Sequence, residues 1–158
     1  MPHINDNIDM TVEVFIVYNS SVLLRKHDKY GIWLSVGGHI ELNEDPNEAA
    51  LREVKEEVGL DIRLYHESQG SLTNYWNHQE LVPPQFMNRH RINNNHEHVT
   101  FVYFARSTSD KLILSDKERS SACTWFTAND IKQSDEIKPS VRFYATEALR
   151  IVESSLNN

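Results

Sequence analysis

Hydrophobic and polar positions along the chain set out an alternating series of strands and helices. Met10 to Tyr18, MTVEVFIVY, is rich in β-branched and aromatic residues and predicts a strand. Val22 to Lys26 follows after Asn19-Ser20-Ser21, which predicts a hairpin. Ile32 to Val36 predicts a third short strand, ending at a Gly37-Gly38 turn. The next segment is a helix over about residues 46 to 58. Asp45 suits the N-cap, Pro46 the first helical position, and Glu48 completes an Asp-x-x-Glu capping box. Gly59 suits the left-handed position past its end, with Leu60 as hydrophobic follower.

Residues 61 to 76 predict one or two strands, and residues 77 to 95 read as irregular, with Pro83-Pro84 and Asn93-Asn94-Asn95. A loop of that length inside a compact domain is usually functional or mobile. Val99 to Arg106 and Ala122 to Phe126 predict further strands, and Thr127 or Asn129 caps a short helix through Gln133. From Pro139 to Leu156, the positions Val141, Tyr144, Ala145, Ala148, Leu149 and Val152 form a helical stripe. The economical reading is one mixed α/β domain over residues 1–158.

Composition narrows the function. Apolar residues make up 39% and charged residues 25%, which is globular rather than disordered. The single cysteine, Cys123, excludes an internal disulfide and fits a reducing compartment. The start, MPHINDNIDM, lacks a basic and an apolar region, so no signal peptide is expected and the expected location is cytoplasmic. No apolar run approaches membrane-spanning length, so no membrane partner is expected. A formal charge of −7 argues against a nucleic acid polymer as partner and would repel polyphosphates unless a cation intervened.

The capped helix supplies the candidate chemistry. On a wheel of about 100° per residue, Leu51, Val54 and Val58 form an apolar stripe. Glu53, Glu56 and Glu57 share one flank of it, while Glu48, Arg52 and Lys55 fall on the solvated back. Like charges at i,i+4 cost a helix roughly 0.2–0.5 kcal/mol each. A hard cation with oxygen ligands removes that cost and can polarise a phosphoryl oxygen. Glutamates alone read more readily as a solvated acidic face.

The spacing around them is specific. Gly38, Glu44, Arg52, Glu53, Val54, Glu56, Glu57, Gly59 and Leu60 stand as G, five residues, E, seven residues, R-E-V, one residue, E-E, one residue, G-L. This resembles the signature of the Nudix hydrolases, MutT-like enzymes, with every fixed position filled. The resemblance implies an α/β/α sandwich around a mixed β-sheet, with Mg²⁺ or Mn²⁺ as cofactor. It implies hydrolysis of a nucleoside diphosphate linked to another moiety: a nucleoside triphosphate, a nucleotide sugar or a dinucleoside polyphosphate. By resemblance, Glu53, Glu56 and Glu57 are the metal ligands, Arg52 orients a neighbouring glutamate, and Glu44 supports the loop or the outer metal shell. Gly37 and Gly38 read as backbone devices for a tight turn and close approach. Val36 stands where the family often has proline, which removes no ligand. The family's members are often dimers, so a homodimer is allowed. The alternatives are a ligand-binding regulator without turnover, which the intact glutamates disfavour, and an acidic interaction helix, which would not need Gly38, Glu44 and Gly59.

Other residues stay open. Glu53 or Glu57 can serve as general base, and Glu118, seven residues before Trp125, is a further candidate beside its reading as a loop carboxylate. Arg89, His90 and Arg91 form a compact basic patch that either holds a phosphate or is a solvated loop. Tyr75, Trp76 and Phe86 either stack on a base or close the core edge, the second being the default for large aromatics. His96 and His98 have strand spacing and would face one side, enough to bind a metal. The preferred reading of the histidines is nonetheless polar surface, with a substrate contact as the intermediate case.

Overall fold

The computed structural model describes residues 5–67, 74–114 and 120–156. In chain order the elements are β1 (Ile8–Tyr18), β2 (Ser21–His27), β3 (Ile32–Leu34), β4 (Val36–His39), α1 (Pro46–Val58) and β5 (Ile62–Leu64). They continue with β6 (Asn74–Tyr75), β7 (His78–Gln79), β8 (Phe86–Asn93), β9 (His96–Ser107), β10 (Ser120–Thr127), α2 (Ala128–Gln133) and α3 (Pro139–Ser154).

β1 is the spine. It runs parallel to β9 from Ile8↔Glu97 to Val17↔Arg106 and antiparallel to β4 from Thr11↔His39 to Val14↔Val36. Among the described residues the main sheet runs β10-β2-β1-β9-β5, with β3 on β2, β4 on β1 and β8 on β9. A mixed sheet with helices on both faces makes the α/β/α sandwich. Period-two alternation assigns the layers. Val12, Val14 and Ile16 pack with Tyr103 and Ala105 under Ala49, Ala50, Val54 and Val58 of α1. Phe15 and Val17 pack with Val102 and Phe104 under Val141, Ala145, Ala148, Leu149 and Val152 of α3.

The expected caps form. Asp45 accepts from the Asn47 and Glu48 amides, the Glu48 side chain reaches back to the cap, and Gly59 adopts φ 71°. Asn19 and Ser20 take positive φ in the β1–β2 turn, as a tight hairpin requires. Thr127 caps α2 through Asp130.

Two expectations fail. The third strand divides at Ser35: Ile32–Leu34 pairs with β2, while Val36–His39 crosses to β1, so Gly37-Gly38 lies inside a strand rather than in a turn after one. The irregular reading of residues 77 to 95 holds for residues 80–85 but fails beyond them, because β8 pairs with β9 from Phe86↔Val102 to Asn93↔His96. Its sequence, FMNRHRIN, concealed the strand because most of its side chains are exposed, leaving no apolar face to mark the period. The three asparagines form its turn, with the Asn95 amide donating to Asn93 Oδ1.

Candidate functional site

The acidic helix presents its carboxylates unequally. Glu53 and Glu57, one helical turn apart, are buried at 3% and 5% exposure. The Glu56 side chain is 59% exposed. Leu51, expected in the apolar stripe, is exposed, and Ala50 joins Val54 and Val58 in the core instead. Leu51 lines a groove of about 810 Å³ along the first half of α1, with Asn47, Arg63, Tyr65 and Gln79; the three glutamates lie outside that lining.

Arg52 holds the site together. Its position on the wheel predicts solvent, but its long side chain folds back and is only 21% exposed. Nε donates to Glu44 Oε2 at 2.9 Å and Nη2 to Glu44 Oε1 at 2.6 Å, a two-point clamp. Nη1 donates to Glu53 at 3.0 Å and to Glu56 at 3.3 Å, while Nη2 also donates to the His39 carbonyl at 3.0 Å. The guanidinium holds the Glu44 carboxyl below its usual range, and Glu44 with Glu53 holds Arg52 firmly charged. Glu44 is further fixed by the Glu41 amide.

Glu57 has a separate support. It lies 3.2 Å from Arg25 Nη2 and accepts from the Gly37 amide at 3.2 Å. Arg25 is a site residue that sequence reasoning missed. Its signal was present: it stands two residues past Leu23 and so shares the strand face that meets the α1 layer.

The two glycines explain how helix and strand approach so closely. A Cβ on Gly37 (φ 155°) would stand 2.0 Å from the Val12 carbonyl oxygen, and one on Gly38 would stand 2.3 Å from Glu53 Oε1. The close approach expected of the pair is present, though the tight turn is not.

A second polar cluster lies on the other face of the sheet. The Asp9 carboxylate is fully buried, with Oδ2 3.2 Å from His39 Nε2 and 3.2 Å from His96 Nε2. His98 packs edge-on to His39, with ring centroids 5.0 Å apart, and to His96 at 5.3 Å. Burial, then the neighbouring His39, His90 and His96, lowers the His98 pKa to about 4. The surface reading therefore fails for His96, which is buried, and His98 is half-buried beside it. β9 begins at His96, three residues earlier than expected, and carries both under the sheet's end.

The remaining candidates lie apart. The pleat divides the basic patch, with Arg89 and Arg91 on one face of β8 and His90 on the other, and Arg89 is ion-paired with Glu97. Tyr75 and Trp76 do not close the core: both are exposed on the β6–β7 hairpin. Phe86 packs on Phe104, Phe143 and Tyr144. Glu118 lies outside the described residues. Among the described residues no helix is long and apolar enough to cross a membrane.

A Gly-Gly strand thus backs a capped helix whose glutamates are clamped by arginine. The chain belongs to the NUDIX hydrolase family, whose NUDIX domain model matches residues 9–146. It is similar to the m7GpppN-mRNA hydrolases NUDT17 of Xenopus laevis, 30% identical over 128 residues, and of Danio rerio, 31% identical over 109. Those alignments cover 75% and 64% of this chain but only 41% and 33% of the relatives. Among solved structures, a NUDIX family hydrolase from Clostridium perfringens superposes with a TM-score of 0.81 at 35% identity, covering 91% of this chain and 97% of that one. A MutT NUDIX hydrolase from Burkholderia pseudomallei shares the fold at a TM-score of 0.65 and 23% identity, covering 93% and 99%.

Proposed function

We propose that the chain is a metal-assisted hydrolase of diphosphate bridges in small nucleotide derivatives, with Glu53, Glu56 and Glu57 as metal ligands. The observation that carries the proposal is the clustering of two buried carboxylates and one exposed carboxylate around fixed arginines. Glu53 and Glu56 accept from the same Arg52 nitrogen, so their carboxylates adjoin. The donor set is all oxygen and anionic, which fits Mg²⁺ or Mn²⁺. Such a cation, when bound, supplies Lewis-acid polarisation of a phosphoryl oxygen and a more acidic water.

The chain's own residues do the positioning. Arg52, anchored on Glu44 and on the His39 carbonyl, sets the orientation of Glu53 and Glu56. Arg25 and the Gly37 amide set Glu57. In this reading Glu53 or Glu57 takes the proton from an attacking water, with Glu118 a further candidate base. Glu56 is the most solvent-open of the three carboxylates.

A nucleoside triphosphate, a nucleotide sugar and a dinucleoside polyphosphate all present the required bridge. The m7GpppN cap in the relatives' name contains the same bond class, so capped RNA ends join the panel. The acidic net charge of −7 favours the small compounds over a polymer. The test is incubation with Mg²⁺ and this panel, with products identified. Turnover with cleavage inside the phosphate bridge is expected, and Glu56→Gln and Glu57→Gln should abolish most of it. Turnover unchanged in both variants would refute the ligand assignment.

A further inference from the structure

We infer that Asp9, His39 and His98 form a second metal site, for a zinc-class transition ion, on the sheet face opposite α1. Three adjacent strands deliver the ligands. Asp9 and His98 are direct partners across the parallel β1–β9 ladder, and His39 of β4 stands beside Thr11, two residues on from Asp9. Residues two apart on a strand share a face, so all three side chains emerge on one side of a hydrogen-bonded sheet. One ligand atom from each lies within 4.8 Å of the others. Ligands about 2.0–2.2 Å from a tetrahedral zinc stand roughly 3.3 Å apart. The 3.2 Å between His39 Nε2 and Asp9 Oδ2 already matches that edge.

The surroundings orient the carboxylate. The Asn5 backbone amide and side-chain amide donate to Asp9 Oδ1 at 2.7 and 3.2 Å, leaving Oδ2 as the oxygen facing the imidazoles. His96 stands against that same Oδ2 and donates from Nδ1 to the Asp6 carbonyl, so it is a positioning residue. Supports of this kind fix ligand geometry in metal sites. Two residues further along the same ladder face, the Thr11 and Thr100 hydroxyls are buried and hydrogen-bonded to each other at 2.7 Å. Three protein ligands leave the fourth position of a tetrahedron for water or an anionic group.

The donor chemistry separates this site from the glutamates. Imidazole nitrogens suit zinc, copper, nickel and iron, whereas carboxylates alone suit magnesium and manganese. The two sites share strand β4: the His39 side chain enters one, while its carbonyl holds Arg52 of the other.

The test uses the full chain stripped with chelator, in the natural form and in the Glu56→Gln/Glu57→Gln form. Zn²⁺ is titrated by calorimetry, and Co²⁺ by its visible absorption. One zinc per chain should bind in both forms, with Co²⁺ giving the intense bands of a four-coordinate ion. His98→Ala and His39→Ala should each weaken Zn²⁺ binding at least ~10–100-fold. Binding equal to the parent in both histidine variants overturns the site, as does absence of zinc uptake by the natural chain. X-ray absorption at the zinc edge of the natural chain decides the matter if the variants misfold. Nitrogen scatterers of imidazole type at about 2.0 Å support the site, and an all-oxygen shell overturns it.

Discussion

The two faces of the sheet at β4 handle charge in opposite ways. On the α1 face, carboxylates of the helix and its entry loop are steadied by arginines: Arg52 for Glu44, Glu53 and Glu56, Arg25 for Glu57. On the other face, a buried carboxylate, Asp9, is surrounded by imidazoles and the Asn5 amides. One strand serves both. Glycines at 37 and 38 let the acidic helix press against it, and the side chain of the next residue, His39, turns to the far side. Strand periodicity thus sets a carboxylate cluster and an imidazole cluster back to back, and each face can be tested without dismantling the other.

The largest effect is expected on the α1 face. Glu57→Gln keeps the shape and removes the charge, and should lower turnover by about 10²–10⁴-fold if Glu57 is base or ligand. Steady-state rates on the best compound of the panel measure it. A loss below tenfold would mean that burial of Glu57 against Arg25 serves stability instead.

The glycine pair separates fold from chemistry. Gly37→Ala drives a Cβ into the Val12 backbone and should cost roughly 3 kcal/mol or more of stability, read from denaturant midpoints. Gly38→Ala meets the end of a flexible side chain, the Glu53 carboxylate. It should cost roughly 1 kcal/mol of stability but a large share of activity, because Glu53 must leave Arg52. Equal stability losses in the two variants would show that Gly38 is structural.

What the sequence made legible follows from which signals are local. The helix ends were readable because Asp45, Pro46, Glu48 and Gly59 act within one turn of themselves. Val12 to Val17 could be read as a strand from residue type alone. The division of Ile32–His39 at Ser35 could not, since it depends on β4 finding β1 rather than β2. Arg52 was misplaced on the wheel because a wheel records Cβ directions and not the reach of a long side chain. The Asp9, His39 and His98 cluster joins residues from three strands, and only the His96 and His98 spacing was visible along the chain.

Glu13 sharpens the contrast between the faces through pH. It lies on the Phe15 side of β1, away from Arg52 and Arg25 on the α1 face, and burial pushes its carboxyl up to about 7. Below pH 4.5 it is protonated in both folded and unfolded chains and contributes nothing. As pH rises from 4.5 toward 7 the unfolded chain gives up the proton while the folded chain keeps it, so stability falls. Above 7 the penalty is complete, about 3 kcal/mol from the shift. Glu13→Gln should therefore be more stable than the parent at pH 8 and close to it at pH 4.5, by thermal melts at both. A constant difference across that range would place the cause outside titration.

The smallest effect concerns how each helix is mounted on its face. α1 begins in a full capping box on Asp45, whereas α3 begins at Lys138 with no side-chain hydrogen bond at its cap. Asp45→Ala removes an acceptor for two amides and should cost about 1 kcal/mol, or ~2–4 °C in a chain of this size. Lys138→Ala should stay within about 0.5 kcal/mol. Paired melts of the two variants check the difference. Were Lys138→Ala the costlier change, the packing of α3 would depend on its entry geometry, and the capped helix would owe its rigidity to the Arg52 network more than to its cap.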